Sequence, residues 1–348
     1  MARYLFFVSK LYSLAVLRPL QQSIRARGGE AAWFFEHEKD ATYLRTDERR
    51  LQTVRDVTDW RPEAVFVPGN WVPHYFPGLK VEVFHGFSVG KRSESRGHFR
   101  IRGSFDLYCT QGPDTTGPFR ELARHHGHFR VVETGWPKVD PLFSGPYAMI
   151  RDTANRAARP VVMYASTFTE SISSARALRD TIARLAASGP WQWLVTLHPM
   201  MAREVIASYQ ALQGPNLRFV MNDDILSLYT QADVLLSDTS SVVPEFLLMR
   251  KPVVTFRNRK PGPQLLNVEQ LDQVQPALEH ALTRPAALMQ AIEHYSQQIH
   301  PYRDGRSSER VLDATQHALE LGPEGLRAKP FNLVRRLQAR HRLGHWRM

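Results

Sequence analysis

The chain has 348 residues, 43% hydrophobic and 23% charged, a globular composition that excludes a mainly disordered protein and suggests about two domains. Its single cysteine, Cys109, excludes an internal disulfide and a cysteine-based metal site, and indicates a reducing, cytoplasmic compartment. No uncharged apolar run approaches the roughly 18 residues of a membrane-spanning helix, and the opening segment has no signal-peptide pattern.

The positive charge is concentrated at the two ends of the sequence. The net charge is +11, yet residues 28–320 carry 33 basic and 33 acidic side chains. Residues 1–27 hold five basic side chains and no acid, and residues 321–348 hold seven basic side chains and one acid. Nucleic-acid-binding domains usually carry a basic stripe across a folded surface. This distribution therefore argues against nucleic acid and favours local contact with an anionic membrane surface or a phosphate-bearing acceptor.

The first part of the chain predicts a parallel α/β domain. Helix-like stretches such as 10–27, with apolar residues at helical spacing, alternate with strand-like runs. The strand-like runs are 4–8, 31–37, 64–69, 81–86, 106–112 and 129–135. Near-continuous apolar strands separated by helices indicate a parallel sheet covered on both faces. Residues 143–160 contain no clear strand and end in proline, which indicates a linker.

The same alternation then starts again. Strand candidates are 160–167, 191–199, 217–223, 232–238 and 252–256, and helical stretches lie near 173–188, 200–212, 224–231 and 242–250. The sequence thus predicts an α/β protein of the GT-B type, with two doubly wound, Rossmann-like domains facing a cleft. We place an acceptor-side domain at 1–150, a donor-nucleotide domain at 151–305, and a crossover helix with a basic amphipathic tail at 306–348.

The strongest motif is the segment 232–256, where an apolar strand ends in a run of polar residues before a helix. The run is Ser237, Asp238, Thr239, Ser240 and Ser241. Hydroxyls and free N–H groups at a helix start form an anion site, so we expect a nucleotide diphosphate there. Glu245, in the first turns of the helix, would accept hydrogen bonds from ribose hydroxyls. The alternative is that Asp238 and the serines only cap the helix.

A histidine at a strand end is the first catalytic candidate. His85 follows the apolar run 81–84, and Gly86 would allow close backbone approach. An imidazole facing a cleft is a good general base near neutral pH. Lys91 and Arg92 follow at a distance where they would bind phosphate or the acceptor. The alternative for His85 is a purely structural histidine.

Three further groups of residues are functional candidates, and two of them have a structural alternative. His198 ends the apolar strand 191–197 and would bind phosphate or merely cap the strand. Thr167 ends another strand among hydroxyl residues, which suggests a phosphate or sugar contact. Lys138 lies in the turn 134–140 and would face the cleft, unless that turn is only a rigid lead into the linker.

No metal site is expected. One cluster of histidines, His125, His126 and His128, has no carboxylate or cysteine at the spacing of a metal site. The acidic run 222–224 is better explained as the cap of the following helix. The glycine-rich dinucleotide, P-loop and serine-hydrolase motifs are also absent from the sequence, which weakens dehydrogenase, kinase and hydrolase interpretations.

Taken together, these motifs resemble one family of transferases. The ordered segments are HGFSVGK (85–91), TGWPKVD (134–140), YASTFTE (164–170), TLHP (196–199), 228–254 and YRDGRSSERVL (302–312). They are similar to the CDP-glycerol glycerophosphotransferases, the teichoic-acid primases and polymerases. The resemblance implies a GT-B enzyme that transfers glycerol phosphate from CDP-glycerol to a hydroxyl and releases CMP without a bound metal.

The resemblance also implies roles for individual residues. His85 and His198 match the two essential histidines of the family, and Asp238, Ser240 and Ser241 match its donor-phosphate motif. The closing segment of the family pattern is matched by Asp304, Gly305 and Arg310, which implies that Arg310 binds the donor. Phe87, Thr169 and Thr239 depart from the common pattern, and they leave the donor alcohol open.

The sequence therefore predicts a transferase at the cytoplasmic face of the cell membrane, acting in envelope polysaccharide synthesis. His85 would take the acceptor proton, while His198 and residues 238–241 would hold the donor pyrophosphate. Apolar residues among the arginines of 328–348 predict an interfacial segment, with a solvated tail as the alternative. Two other functions remain open: a nucleotide-sugar glycosyltransferase of lipopolysaccharide or capsule synthesis, and a non-catalytic scaffold of envelope assembly.

Overall fold

The chain folds around two parallel β-sheets, as the alternating pattern predicts. The computed structural model describes residues 1–87, 97–145, 147–148, 159–221 and 224–346. It divides into two units, and each has its own sheet and apolar core. The first unit is built from Met1–Gly86, Glu94–Asp140 and His300–Met348, and the second from Phe87–Ser93 and Pro141–Ile299.

In the described part of the first unit, seven parallel strands form a sheet of order β3-β2-β1-β4-β5-β6-β7. The strands are β1 (Arg3–Val8), β2 (Glu30–Phe35), β3 (Arg49–Arg50), β4 (Ala64–Val67), β5 (Leu79–Glu82), β6 (Leu107–Thr110) and β7 (Arg130–Glu133). The order runs outward in both directions from the neighbours β1 and β4. In sheets of this kind, ligands bind beyond the carboxyl ends of the strands at that switch point.

The described part of the second unit holds a six-stranded parallel sheet of order β10-β9-β8-β11-β12-β13. Its strands are β8 (Val161–Ser166), β9 (Gln192–Leu197), β10 (Leu217–Phe219), β11 (Val234–Ser237), β12 (Val253–Phe256) and β13 (Leu266–Val268). Here the order reverses between β8 and β11, so the expected ligand edge lies just after Ser166 and Ser237.

Helices connect many of the parallel strands, whereas the described connections from β4 to β5 and from β12 to β13 contain none. Over the described ranges they are α1 (Ser13–Ala26), α2 (Val54–Trp60), α3 (Pro113–His126), α4 (Asp140–Phe143), α5 (Ala175–Ser188), α6 (Arg203–Gln210), α7 (Ile225–Gln231), α8 (Val242–Leu247), α9 (Val274–Leu282), α10 (Ala286–Ile299), α11 (Ser307–Leu321) and α12 (Leu333–Arg342). Local signals fix several ends. A reciprocal cap between Thr53 and Asp56 starts α2, and Gly127 ends α3 with φ of 72°.

The division between the units falls after Asp140 and again before His300, whereas the sequence prediction placed the boundaries at 150 and 305. The buried Asp140 carboxylate gives the physical reason. It accepts hydrogen bonds from the backbone N–H groups of Ser307 (2.9 Å) and Ser308 (2.7 Å), at the start of α11. The helix that follows His300 is therefore an integral part of the first unit. Of the predicted linker 143–160, residues 146 and 149–158 lie outside the described part of the chain.

The C-terminal segment packs on the first unit as an ordered element. Lys329 pairs with Asp106 at 2.6 Å, and the Tyr75 hydroxyl donates to the carbonyl of Ala339 at 3.5 Å. Ala339 itself is buried, on the side of α12 that faces the unit. The described residues up to 346 are therefore docked on the first unit through Ala339, while Leu333 and Val334 of α12 remain exposed. The predicted interfacial role of this segment and its alternative, a solvated tail, are not decided by this docking.

Across the described residues, the longest apolar stretches of the helices fall short of what is needed to cross a lipid bilayer.

Candidate functional site

His85 lies at the switch point of the first sheet. It follows β5 by three residues, and its Nδ1 lies 2.9 Å from the carbonyl oxygen of Pro68, which follows β4. A carbonyl oxygen only accepts, so Nδ1 carries a hydrogen and donates it. In the neutral ring the lone pair is then on Nε2, and the side chain as a whole is exposed. This tautomer is the one that a general base needs.

The backbone before His85 leaves the strand through an unusual conformation. Phe84 has φ of 55°, a left-handed conformation that costs a bulky residue about 1–3 kcal/mol. Its carbonyl accepts a hydrogen bond from the Trp136 indole N–H at 3.2 Å, and its buried ring packs against His98 and Phe119. These contacts hold the bend that carries His85 to the edge of the sheet.

The turn 134–140 supports this edge. Trp136 is fully buried, and its backbone N–H donates to Nε2 of His300 at 3.0 Å. Burial lowers the pKa of His300 to about 4, so this ring is neutral at physiological pH. Lys138, predicted as a phosphate or acceptor ligand, is half-buried with its ammonium group 5.1 Å from the centre of the Trp136 ring.

At the switch point of the second sheet, Asp238 forms a buried hydrogen-bonding hub. Its carboxylate accepts from the Ser166 hydroxyl (2.5 Å), the Thr167 N–H (3.0 Å), and the N–H and hydroxyl of Ser174 (2.8 and 2.9 Å). Burial raises the pKa of the Asp238 carboxyl, although these hydrogen bonds oppose the rise. Asp238 is 0% exposed, so it shapes the site by joining β8, β11 and the start of α5.

The residues after Asp238 differ in exposure. Thr239 and Ser240 are buried, and the Thr239 hydroxyl accepts from the Arg259 N–H at 3.0 Å. Ser241 is exposed, and in the described structure its side chain makes no capping hydrogen bond to α8. The simple alternative, in which these hydroxyls serve only as helix caps, therefore has no support from the observed hydrogen bonds of Ser241.

Glu245 lies deeper than the sequence suggests. It is 4% exposed within α8, and one of its carboxylate oxygens accepts from the Tyr229 hydroxyl at 3.0 Å. Its observed partner is therefore a buried tyrosine of α7. The predicted contact of Glu245 with ribose hydroxyls stays a prediction.

His198 is set in the opposite tautomer to His85. It is exposed at the end of β9, and its Nδ1 lies 3.0 Å from the backbone N–H of Met200. An N–H group only donates, so Nδ1 is the acceptor, and the hydrogen of the neutral ring is on Nε2. The exposed ring of Phe168 packs against it at 4.5 Å. His198 thus presents a hydrogen-bond donor, which suits a phosphate oxygen.

The remaining predicted residues are placed as follows. Arg310 belongs to the first unit, where its guanidinium pairs with Asp304 and stacks 3.9 Å from the centre of the Tyr302 ring. The role in donor binding that the family resemblance implies for Arg310 stays a prediction. Lys91 and Arg92 lie outside the described residues.

No three His, Cys, Asp or Glu side chains of the described residues are grouped so that they could hold a metal ion. The chemistry available from the described residues is proton acceptance at His85, hydrogen-bond donation at His198, and a hydroxyl-lined loop at Thr167 and residues 239–241.

Sequence reasoning missed several residues of these sites. Tyr12 stacks on His85, with ring centres 4.8 Å apart, and Gln111 donates from Nε2 to the carbonyl of Gly86 at 3.1 Å. Ser174 binds Asp238 from the start of α5. Both Tyr12 and Gln111 follow strands of the first sheet. The rule that ligands gather at carboxyl ends of parallel strands could have found them.

Two doubly wound α/β units, each with polar residues at its switch point, place the protein in the GT-B fold class. Within that class the chain belongs to the CDP-glycerol:poly(glycerophosphate) glycerophosphotransferase family, whose model matches residues 91–316. The family and fold class predicted from the sequence motifs are thereby confirmed. The match includes His198 and the Asp238 motif, whereas His85 lies six residues before it begins.

Similar proteins include enzymes of teichoic acid synthesis. A teichoic acid glycerol-phosphate primase from Bacillus subtilis (strain 168) is 24% identical over 159 residues, which cover 45% of this chain and 41% of the primase. The wall teichoic acid polymerase TagF is similar in structure, with a TM-score of 0.64 and 15% identity over 92% of this chain and 89% of that chain. S. aureus MnaA, solved with UDP, has a TM-score of 0.63 and 15% identity, and the match covers 95% of this chain and 99% of that chain. The alignment thus spans less than half of the primase, and the structural likenesses concern the fold.

Proposed function

We propose that this protein transfers glycerol phosphate, or a related polyol phosphate, from a CDP-activated donor to a hydroxyl of a cell-envelope glycan or lipid. The observation that carries the proposal is the pair of exposed histidines in opposite tautomers, each at the carboxyl end of a parallel strand. His85 presents a nitrogen that can accept a proton, and His198 presents an N–H group that can donate a hydrogen bond. Membership of the glycerophosphotransferase family supplies the donor class.

His85 acts on the acceptor. Its Nε2 takes the proton of the acceptor hydroxyl as the hydroxyl oxygen forms a bond to the phosphorus that carries the polyol. The bond between that phosphorus and the oxygen bridging the two phosphates breaks, and CMP leaves with the electron pair. Pro68 keeps the reactive nitrogen in the correct tautomer by accepting from Nδ1. General base catalysis of this kind contributes about 10²- to 10⁴-fold.

The second unit holds the donor. Nε2–H of His198 donates to a donor phosphate oxygen, and the hydroxyls of Thr167, Thr239, Ser240 and Ser241 line the loop beside it. Asp238 fixes this loop through Ser166, Thr167 and Ser174. Phosphoryl transfer depends mainly on positioning and on stabilisation of charge, so preorganised donors are the expected form of catalysis. The proposal needs no bound metal or other cofactor.

The decisive test is CMP release from CDP-glycerol in the presence of an envelope acceptor. His85→Ala should lower the rate by at least about 100-fold while donor binding persists. His37→Ala is the matched control, because His37 is an exposed histidine of the same unit. Near-wild-type turnover in His85→Ala would remove His85 from the mechanism.

The donor is identified with a panel of activated compounds. CDP-glycerol, CDP-ribitol, UDP-sugars and CMP-sugars are compared by thermal shift and by product release. We expect stabilisation and turnover with a CDP-polyol. Turnover with a sugar donor alone would instead support a glycosyltransferase, and no turnover with any donor would support a scaffold protein.

We also propose that the enzyme works on the inner face of the cell membrane, with α12 as its contact. The docked side of this helix is buried at Ala339, while Leu333, Val334 and Leu337 lie exposed on another side. Arg335, Arg336 and Arg340 intersperse with them along the helix. The exposed apolar side chains would enter the lipid, as in interfacial helices. The arginines are half-buried, with Arg335 donating to the Arg102 carbonyl and Arg340 over the Tyr75 ring, and their positive charge would attract an anionic surface.

The membrane proposal is tested by co-sedimentation with vesicles of phosphatidylglycerol and phosphatidylcholine. The double variant Val334→Glu/Leu337→Glu should lower binding to the anionic vesicles at least tenfold. Leu271→Glu, an exposed leucine of the second unit, is the control and should bind as the wild type does. Equal binding by both variants would exclude α12 as the contact.

A further inference from the structure

Tyr12 occupies the same switch point as His85. It lies in the connection between β1 and α1, and its ring faces the His85 imidazole with centres 4.8 Å apart and planes inclined by 25°. Tyr12 is 42% exposed, so the stacked pair lies at the surface of the first unit. A partly exposed tyrosine contributes little to a core, and this position lies before the residues matched by the family.

The neighbouring backbone is shaped to bring the Tyr12 loop close to β4. Gly69 follows Pro68, the residue that accepts from His85. A Cβ at position 69 would lie 2.8 Å from the Ser9 hydroxyl oxygen and 3.9 Å from the Tyr12 hydroxyl oxygen. A side chain at position 69 would therefore crowd the Ser9 hydroxyl, which would have to rotate, and would make ordinary van der Waals contact with the Tyr12 hydroxyl. Gly69 thus lies beside the loop that carries Tyr12, at the same edge of the sheet as the Pro68 carbonyl that His85 contacts.

We propose that Tyr12 is a positioning residue for His85, an inference that rests on the proposed role of His85 as the base. The hydrogen bond to Pro68 constrains Nδ1, and the Tyr12 ring constrains the plane of the imidazole. Together they aim Nε2 in one direction. The face of an aromatic ring also attracts a cation, so it stabilises the imidazolium that forms when His85 takes a proton.

The kinetic test compares two substitutions at one position. Tyr12→Phe keeps the ring and should retain kcat within twofold. Tyr12→Leu removes the ring and should lower kcat about tenfold, since small misplacements of a catalytic group cost one to two orders of magnitude. The KM for CDP-glycerol should stay within twofold in both. Leu11→Ala, at the adjacent exposed residue, is the control and should leave kcat unchanged.

A second measurement reads the ring directly and does not depend on turnover. With ¹⁵N-labelled histidine, NMR distinguishes the two tautomers, and His85→Gln identifies the signal. The wild type and Tyr12→Phe should show the tautomer with the hydrogen on Nδ1, and Tyr12→Leu should show a mixture.

The outcomes separate this inference from the function on which it rests. An unchanged tautomer together with unchanged kcat in Tyr12→Leu would overturn the positioning role. A changed tautomer in Tyr12→Leu, with a fully active His85→Gln, would leave the positioning role intact and overturn the assignment of His85 as the base. Equal loss of kcat in Tyr12→Phe and Tyr12→Leu would also overturn the inference, because the hydroxyl and not the stacked ring would then be responsible.

Discussion

At the residue scale, the Asp238 carboxylate joins three segments that are distant in sequence. It accepts from Ser166 and Thr167 after β8 and from Ser174 before α5, while it follows β11 itself. A buried carboxylate with several donors is stable only while those donors remain in place. The geometry of the hydroxyl-lined loop therefore depends on a residue that a ligand need not touch.

Asp238→Ala should destabilise the protein by about 3 kcal/mol, because it leaves several buried donors without an acceptor. Urea denaturation, followed by the fluorescence of the buried Trp193 in the second unit, measures this loss. Ser241→Ala should change the free energy of unfolding by less than about 0.5 kcal/mol, since Ser241 is exposed. A similar stability for both variants would show that the hub contributes little.

Because its pKa is lowered by burial, His300 makes the stability of the first unit depend on pH. Burial lowers its pKa from an ordinary value near 6.5 to about 4, so the unfolded chain binds the proton more readily. The contribution of this residue to stability is complete above pH 6.5 and is lost as the pH falls toward 4. At pH 5 the loss is about 2 kcal/mol.

His300→Gln should remove that loss, because glutamine does not titrate and its amide oxygen can still accept from the Trp136 N–H. The free energy of unfolding of the wild type and the variant is compared at pH 7.5 and pH 5. The wild type should lose about 2 kcal/mol more than the variant between the two values. Parallel behaviour of the two proteins would contradict the role of His300.

The sequence predicts those residues of the site whose signal lies within one segment of the chain. His85 and His198 were found because each ends an apolar strand and precedes a helix-breaking residue. Their tautomers could not be predicted, because these depend on the backbone of Pro68 and Met200 in the folded chain. The partners of Arg310 were missed for the same kind of reason, since stacking on Tyr302 requires the folded turn between them.

At the element scale, the strands of both sheets were predictable because most of them are continuous apolar runs. The short strands β3 and β13 and the helix α2 were not predicted, because β3 consists of two arginines, β13 has only three residues and α2 is mostly polar. Helix α8 ends at Leu247, three residues before the predicted end, where a turn leads to Arg250 with φ of 53°. The position at which a helix or strand ends therefore depends more on such turns than on the pattern of apolar residues.

Helix α12 depends on a small residue for its docking. Ala339 is buried against the first unit, and the Tyr75 hydroxyl reaches its carbonyl oxygen. Ala339→Glu would place a charge and extra volume in that contact, so α12 should separate and residues 326–346 should become sensitive to trypsin. Val334→Glu, on an exposed side of the same helix, should leave the protease sensitivity unchanged. Equal cleavage of the two variants would contradict docking through Ala339.

At the scale of the whole molecule, the proposed mechanism assigns proton transfer to His85 and hydrogen bonding of the donor phosphate to His198, and gives no step to a metal ion. We expect transferase activity to persist after dialysis against EDTA and to change less than twofold when Mg²⁺ is added back. Loss of activity with EDTA that Mg²⁺ restores would contradict the prediction. The thermal stability of the same samples distinguishes loss of a catalytic ion from unfolding.

The first unit is assembled from separated parts of the chain, while residues 141–299 of the second unit are continuous. Asp140 accepts hydrogen bonds from Ser307 and Ser308, which are synthesised about 167 residues later. During translation the second sheet can therefore be complete while the first still lacks α11 and α12. We expect a nascent chain that has not yet reached Ser307 to expose an unfinished first unit beside a completed second sheet.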